Sequence, residues 1–284
     1  MGRSLREGVR LGALADACLV VGPPALYLLV FLAPSETRLA LSLSHAAPSF
    51  YSLYTSHFVH FTVAHLTANV VGYLIATIVG YLLARTAGAR GRYRIALFVI
   101  VTVLPPVLSV LNLAISRPSI GYGASGVVMG TVGLVPVFVF VYLHHRPRIG
   151  SSVEDAPVLF FCGFAVVGVS APIGWLGVGI SAAALLSAVL YGIDVRIDFG
   201  SLAALPPGHL ELLVAGVIIG VGYPAVAFPS DPYVQGGLVN LYVHLLGYAF
   251  GFIPAYLTPS VGSNVLVTVS KAWRPSDSSI EDGR

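Results

Sequence analysis

A serine and a histidine stand inside apolar stretches of this 284-residue chain. Ser125 lies in the run Gly123-Ala124-Ser125-Gly126 at the start of one stretch, and His244 lies within another. A neutral imidazole can take the proton of a hydroxyl and so turn the hydroxyl into a nucleophile. Ionisable groups are costly inside a bilayer, so a histidine there is a candidate functional residue. The pair suggests a hydrolase.

The loop 117–122 before Ser125 places the serine in the first turn of its helix. Backbone N–H groups in a first turn have no partner within the helix, and the positive end of the helix dipole favours a developing oxyanion. The alternative for this run of small residues is helix packing, which is common where membrane helices touch. Gly126 and Gly130 would form such a packing seam on the same helix.

Two glycines with the same spacing, Gly247 and Gly251, follow His244. Small residues four apart let two membrane helices approach closely. We expect this seam to press against Gly126 and Gly130, which would leave the serine and the imidazole facing each other near the outer end. The alternative is a buried histidine with a purely structural role.

Three histidines and an asparagine open the second apolar stretch. His65 and Asn69 are four apart and share one helix face, and both can donate the hydrogen bonds that an oxyanion hole needs. A position at the water interface is the alternative for His57 and His60, above all for His57. A zinc site is a further alternative, but the spacing fits no standard metal motif and no acidic residue lies near in sequence. We therefore expect no metal.

A catalytic triad would also need an acid that orients the imidazole. Of the 12 acidic residues, only Asp16 lies outside the loops, the tails and the ends of the apolar stretches. Asp16 belongs near the cytoplasmic end of the first stretch, on the wrong side of the membrane for this site. Serine chemistry here would use a Ser–His dyad.

The composition is that of a polytopic membrane protein. Hydrophobic residues make up 56% of the chain and charged residues 10%, and the mean hydropathy is +0.87, which leaves too little polar surface for a water-soluble domain. The fold class is therefore all-α. We expect eight membrane-spanning helices, at 11–33, 60–84, 95–115, 123–143, 157–172, 174–193, 210–228 and 236–257.

Basic residues indicate the orientation, because Lys and Arg are retained on the cytoplasmic side. With the N-terminus inside, all of the 15 Lys and Arg residues except Arg38 and Arg117 fall in cytoplasmic segments. We expect a cell-membrane protein with a membrane domain at 1–257 and a polar cytoplasmic tail at 258–284. A cleaved signal peptide is the alternative for the N-terminus, but the first apolar stretch is longer than the about 7–15 residues of such a core.

Taken together, these motifs resemble the rhomboid family of intramembrane serine proteases. The shared patterns are His-x-x-x-Asn in the second stretch, Gly-x-Ser-Gly at the start of the fourth and His-x-x-Gly-x-x-x-Gly in the last. Each is weak alone, but the three stand in the family's order, and the resemblance covers about residues 50–143 and 236–257. It implies a polytopic membrane helix bundle with a rhomboid-like six-helix core and about two extra transmembrane helices.

The resemblance also implies roles for the matching residues. Ser125 would be the nucleophile and His244 the general base, while His65, Asn69 and the backbone N–H of Ser125 would form the oxyanion hole. Supporting positions would be Gly123, Gly126, His60, Met129, Gly247 and Gly251. The implied reaction is cleavage of transmembrane segments of membrane proteins, with no metal or organic cofactor.

The chain departs from the family's pattern in several places, and the number of spans is one of them. Between the serine helix and the histidine helix it has three apolar stretches instead of one. The pair at about 157–193 resembles an inserted hairpin, and 210–228 takes the place of the family's gate-like span, with 157–172 as the alternative. Met129 stands where many members have a tyrosine that packs on the histidine, and a thioether holds a ring less firmly.

Two other functions stay open. One is a weak or inactive rhomboid-like protein that binds membrane proteins; the missing tyrosine favours it, and the retained serine and histidine argue against it. The other is a small-solute or proton transporter with a histidine relay, although no inverted repeat is evident. We expect transmembrane substrates and the lipid bilayer as partners, and no nucleic acid, since the net charge of +3 reflects topology.

Overall fold

The computed structural model describes residues 2–115, 119–145, 151–234 and 237–257. Its α-helices are α1 Gly2–Phe31, α2 Ser35–Leu41, α3 Ser52–Thr55, α4 Val63–Thr86, α5 Arg90–Thr102, α6 Leu104–Leu113, α7 Ser125–His144, α8 Pro157–Ser170, α9 Trp175–Gly192, α10 Phe199–Ala203, α11 His209–Val217, α12 Tyr223–Ala227 and α13 Leu241–Leu257. The expected tail at 258–284 lies outside the described residues, as do Arg117, Arg146 and Arg148.

Short elements complete the fold. Two-residue strands form two antiparallel pairs: β1 Leu43–Ser44 with β2 Ile120–Gly121, and β3 Tyr233–Val234 with β4 Gly237–Leu238. Single turns of 3₁₀-helix lie at Ser56–Phe58 and Val153–Asp155, and a π-helical segment lies at Ile218–Gly222 between α11 and α12. The polytopic, all-α fold class is confirmed.

Among the described residues, seven helical stretches are long and apolar enough to cross a membrane. They are Gly12–Phe31, Val63–Thr86, Arg90–Leu113, Ser125–His144, Val153–Ser170, Trp175–Gly192 and His209–Ala227. These correspond to the first seven expected spans. The eighth, α13, is apolar and comprises 17 described residues, which is at the lower end of the length that crosses a bilayer.

Helix α7 is the centre of the bundle. All its residues from Gly126 to Leu143 are buried, which is the environment that a helix with apolar residues on every side requires. Helices α4 and α13 pack along it. Ser125 is its first residue, so the serine lies at the N-terminal end of this fully packed helix.

Helix α4 starts where Thr62 caps it, because the Thr62 side chain accepts a hydrogen bond from the N–H of His65 at 3.2 Å. Its buried face carries Gly72 and Gly80, spaced to leave room for tyrosines of other helices. A side chain at Gly72 would overlap the Tyr223 hydroxyl, and one at Gly80 would lie 2.8 Å from the Tyr93 ring. These contacts fix α4 against α12 and α5.

One acidic residue ties three helices together at the end of the bundle opposite the serine. Asp16 on α1 accepts hydrogen bonds from Arg90, from Arg94 at 2.7 Å and from the Tyr81 hydroxyl at 3.1 Å. A carboxylate at this depth is stable only when it is paired. Asp16 therefore anchors α1 to α4 and α5, and it does not line the cavity that contains Ser125.

Helices α8 and α9 form a hairpin between the serine helix and the histidine helix. The two pack through small residues: a side chain at Gly177 would overlap the carbonyl oxygen of Gly168, and the Ser181 hydroxyl donates to the carbonyl of Ala165 at 2.7 Å. Helix α8 also packs on the π-helical segment, whereas α9 exposes large apolar side chains such as Trp175, which is 85% exposed. Such a surface suits a lipid-facing helix.

Candidate active site

The backbone before Ser125 is held in a conformation that only glycine adopts readily. Gly123 has a φ of +106°, and its N–H donates to the carbonyl of Ser56 at 3.0 Å. Pairing of Leu43 with Gly121 ties the same segment to the loop between α1 and α4. The segment just before Ser125 is thus held by two sets of contacts, and α7 begins beside it with first-turn N–H groups that have no partner within the helix.

Helices α7 and α13 meet at their glycines. A side chain at Gly247 would overlap the carbonyl oxygen of Gly126, and one at Gly251 would overlap that of Gly130. Gly126 follows Ser125, and Val243 precedes His244. A Cβ on Gly126 would lie 2.6 Å from a methyl carbon of Val243. This is the contact that the two glycine seams predict, and it brings the first turns of both helices together.

Ser125 and His244 line one cavity of about 850 Å³, together with His65 and Asn69. Tyr223, Val226 and Ala227 of α12 form part of its wall, whereas none of the described residues of α8 or α9 does. Within the described part of the chain, no hydrogen bond joins the Ser125 hydroxyl to the His244 ring. Catalytic hydrogen bonds are often long without substrate and shorten in the substrate complex.

The His244 ring has a hydrogen-bond partner on another helix. Its Nδ1 lies 2.8 Å from the carbonyl oxygen of Ala227. A carbonyl oxygen can only accept, so Nδ1 carries the proton and Nε2 keeps its lone pair. His244 is 6% exposed, and its ring packs edge-on against Phe228, with ring centroids 5.9 Å apart. The geometry therefore leaves Nε2 as the basic atom.

The His65 ring lies directly against the loop before the serine. A Cβ on Gly123 would be 2.8 Å from Nε2 of His65, so glycine is required for this approach. The rings of His60 and Tyr122 flank it, at centroid distances of 4.9 and 5.9 Å. Among the described residues the His65 ring has no hydrogen-bond partner. It can therefore donate to a ligand in the cavity.

The Asn69 side chain is buried and already makes two hydrogen bonds. Its Nδ2 lies 3.0 Å from the carbonyl oxygen of His65 and 3.1 Å from Nε2 of His60. Burial lowers the pKa of His60 to about 3, so its ring is neutral and can accept from the amide. Arg38 donates to the His60 carbonyl at 2.8 Å. His60 thus positions Asn69, and Asn69 reaches an oxyanion only by giving up one bond.

His57 does not lie at the surface, contrary to the interface position expected for it, and neither does His60. His57 is 6% exposed, and its Nε2 lies 3.0 Å from the Ser109 hydroxyl, which donates to the carbonyl of Leu53. The reason is that α3 packs against α6, which places His57, just after α3, beside Ser109 of that helix. In the part of the chain that the structure describes, no three His, Cys, Asp or Glu residues converge as a metal site.

Met129 is buried one turn along α7 from the serine and lines the cavity. It packs beside Gly247, while the aromatic contact to the His244 ring comes from Phe228. Sequence reasoning missed both Phe228 and the carbonyl of Ala227. No motif marks a backbone carbonyl, and Phe228 is one of 14 phenylalanines.

Comparison with known proteins gives one match. A family model described as Rhomboid domain matches residues 47–197, more than half of the chain. The matched segment contains Ser125, His65 and Asn69, and it ends before His244. None of the curated proteins and none of the solved structures matches the chain.

Proposed function

The chain belongs to the rhomboid family, and from this premise we propose that it is an intramembrane serine endopeptidase. One observation carries the proposal. Ser125, at a helix N-terminus, and His244, with its Nδ1 occupied by a carbonyl, open on the same cavity. A hydroxyl nucleophile and an imidazole with a free Nε2 are the parts that a Ser–His dyad requires.

In the proposed mechanism, Nε2 of His244 takes the proton from the Ser125 hydroxyl as its oxygen attacks the peptide carbonyl. The tetrahedral intermediate collapses, the C–N bond breaks, and the leaving amine receives the proton from Nε2. Water then attacks the acyl-enzyme in the same way, with Nε2 taking the proton of the water and returning it to the Ser125 oxygen. The chemistry needs no metal or organic cofactor.

The oxyanion is stabilised first by the backbone N–H of Ser125 and the dipole of α7, which is central and 20 residues long. The His65 ring, held against Gly123, supplies a second donor from the side. Asn69 supplies a third when its amide turns away from His60 or from the His65 carbonyl. The three donors differ in the free energy needed to reach the oxyanion, because only Asn69 must break an existing hydrogen bond.

We propose that substrates enter at the cavity wall formed by α12. This helix is the end of the span 210–228, which corresponds to the gate-like span of the family. Tyr223 closes this wall by resting its hydroxyl against Gly72 of α4. A transmembrane segment must unwind to present its backbone to Ser125. Gly and Pro favour unwinding, by about 1 and about 3 kcal/mol relative to Ala, so substrates are expected to carry them near the cut.

The proposal is tested with purified protein and single-pass membrane substrates in liposomes. Mass spectrometry of the products is expected to show a cut within the transmembrane segment, made by the wild type and absent with Ser125→Ala. Replacement of substrate Gly and Pro by Leu is expected to slow cleavage. If substrates co-purify with the protein but are never cut, the chain is a membrane-protein binder and the proposal is wrong.

The oxyanion donors give a graded prediction. Loss of one donor typically costs about 10²–10³ in rate, so His65→Ala is expected to fall in that range. Asn69→Ala is expected to cost less than His65→Ala, because the Asn69 amide must first release a partner. The rates of both variants are measured in liposomes, with Ser187→Ala on α9, away from the cavity, as the control. A larger loss from Asn69→Ala would contradict this ranking.

We propose that both termini are cytoplasmic, because the basic residues concentrate in the segments on that side. With the native Cys18 and Cys162 replaced by Ala, a cysteine is placed at exposed Thr37 or at exposed Gly91. An impermeant maleimide on intact cells is expected to label the first and not the second. Labelling at position 91 alone would reverse the orientation and place the site on the cytoplasmic half.

A further inference from the structure

The general base of the proposed reaction is held by a neighbouring helix and not by an acidic side chain. The Ala227 carbonyl that accepts from Nδ1 of His244 is the last one of α12. The final carbonyls of a helix have no partner within it, so such a group needs a donor from elsewhere. His244 supplies that donor, which means that the bond satisfies both partners.

The chain after Ala227 is equally fixed. The N–H of Phe228 donates to the carbonyl of Pro224 at 2.9 Å, and the Phe228 side chain is 1% exposed. Its ring meets the His244 ring at an interplanar angle of 86°, which is the edge-to-face arrangement that aromatic rings favour. The carbonyl thus sets the direction of Nδ1, and the ring limits rotation of the imidazole.

A second hydrogen bond joins the same two helical elements one turn along α13. The Tyr248 hydroxyl donates to the carbonyl of Gly220 at 2.9 Å, inside the π-helical segment that precedes α12. Tyr248 is fully buried and stacks on Phe160 of α8 at a centroid distance of 5.1 Å. Two side-chain hydrogen bonds, about one turn apart on α13, therefore join α13 to residues 209–227.

We propose that the C-terminal end of α12, through the Ala227 carbonyl and the Phe228 ring, positions His244 as the general base and takes the place of a triad acid. This inference rests on the proposed function, since it assigns a role within that reaction. Substrate entry beside α12 is therefore coupled to catalysis, because His244 is oriented only while it contacts the Ala227 carbonyl and the Phe228 ring. A displacement of α12 that frees the Ala227 carbonyl disarms the base.

The tautomer of His244 tests the inference without any substrate. Protonated and unprotonated ring nitrogens differ widely in ¹⁵N chemical shift, and the signal of His244 is identified among the 8 histidines as the one lost in His244→Gln. At pH 8 we expect the wild type in liposomes to carry its proton on Nδ1. A proton on Nε2 would overturn the inference even if the protein cleaves substrates. Absence of cleavage with a proton on Nδ1 would instead count against the proposed function alone.

Phe228→Ala tests the positioning role in the reaction. We expect a mixture of the two tautomers and a kcat about 10²-fold lower, the scale of a small misplacement of a catalytic group, with a much smaller change in KM. Phe98→Ala, at an exposed phenylalanine of α5, is the matched control and is expected to change neither the tautomer nor kcat. If Phe228→Ala does not fold, Phe228→Leu replaces it in the test, because leucine keeps most of the apolar volume but removes the aromatic ring. A folded variant with the wild-type tautomer and kcat overturns the proposal.

Discussion

Replacing Ser125 by Ala, or His244 by Ala, is expected to abolish cleavage while the protein remains folded in the membrane. Each change removes one half of a two-residue unit, and loss of either member of such a pair costs on the order of 10⁶ in kcat in a serine hydrolase. Because the two act together, the double variant is expected to lose no more than either single variant. Rates are measured in liposomes against a transmembrane substrate.

Two substitutions serve as controls for these variants. Ser187→Ala removes the hydroxyl of a half-buried residue on α9, and His144→Ala removes an exposed imidazole at the far end of α7. Both are expected to retain full activity. Undiminished cleavage by folded Ser125→Ala would show that another group attacks the substrate.

Gly247→Leu is expected to have the next largest effect. Even a Cβ at this position overlaps the carbonyl oxygen of Gly126, so a leucine forces α7 and α13 apart at the level of the dyad. Overpacking of this kind costs about 1–3 kcal/mol of stability. A shift of about 1 Å between catalytic groups costs about 10² in rate. We therefore expect a lower midpoint of thermal unfolding and a cleavage rate reduced at least about 10²-fold.

Gly179→Leu is the matched control for the glycine seam. Gly179 also lies within a membrane helix, α9, but nothing stands within 4 Å of a Cβ added there. It is expected to keep both the unfolding midpoint and the rate. Equal behaviour of the two glycine variants would contradict the role assigned to the contact between α7 and α13.

The helices and their meeting points could be predicted from local patterns. Runs of apolar residues mark the spans because every backbone polar group in a bilayer must be satisfied within a helix. The spacing of Gly126, Gly130, Gly247 and Gly251 predicts the closest helix pair, since small side chains are what allow backbones to touch. The position of Ser125 in a first turn follows from the loop before it.

Other features of the site depend on tertiary structure that leaves no local pattern. The packing of α3 against α6 buries His57, although the sequence around His57 is equally compatible with an interfacial loop. The partner of His244 is the backbone of Ala227, and any residue type has a carbonyl. Asn69 has the residue type of an oxyanion donor, but its two existing hydrogen bonds become visible only when His60 is placed beside it.

The departure at Met129 also depends on the arrangement of helices. From the sequence alone, Met129 leaves the imidazole without the aromatic partner that a tyrosine at this position would provide. In the folded chain Phe228, the residue that follows α12, contacts the same ring. An aromatic contact can thus be supplied from a different helix, so the absence of a tyrosine does not by itself indicate an inactive site.

Covalent labelling by a fluorophosphonate is the most direct test of the central claim, because only an activated serine reacts with it. Purified wild-type protein in liposomes is treated with the probe, digested and mapped by mass spectrometry. We predict a single modification on Ser125, which disappears in Ser125→Ala and is strongly slowed in His244→Ala. Wild-type protein that is folded yet unlabelled, or labelled equally in His244→Ala, would contradict the assignment of a Ser125–His244 dyad.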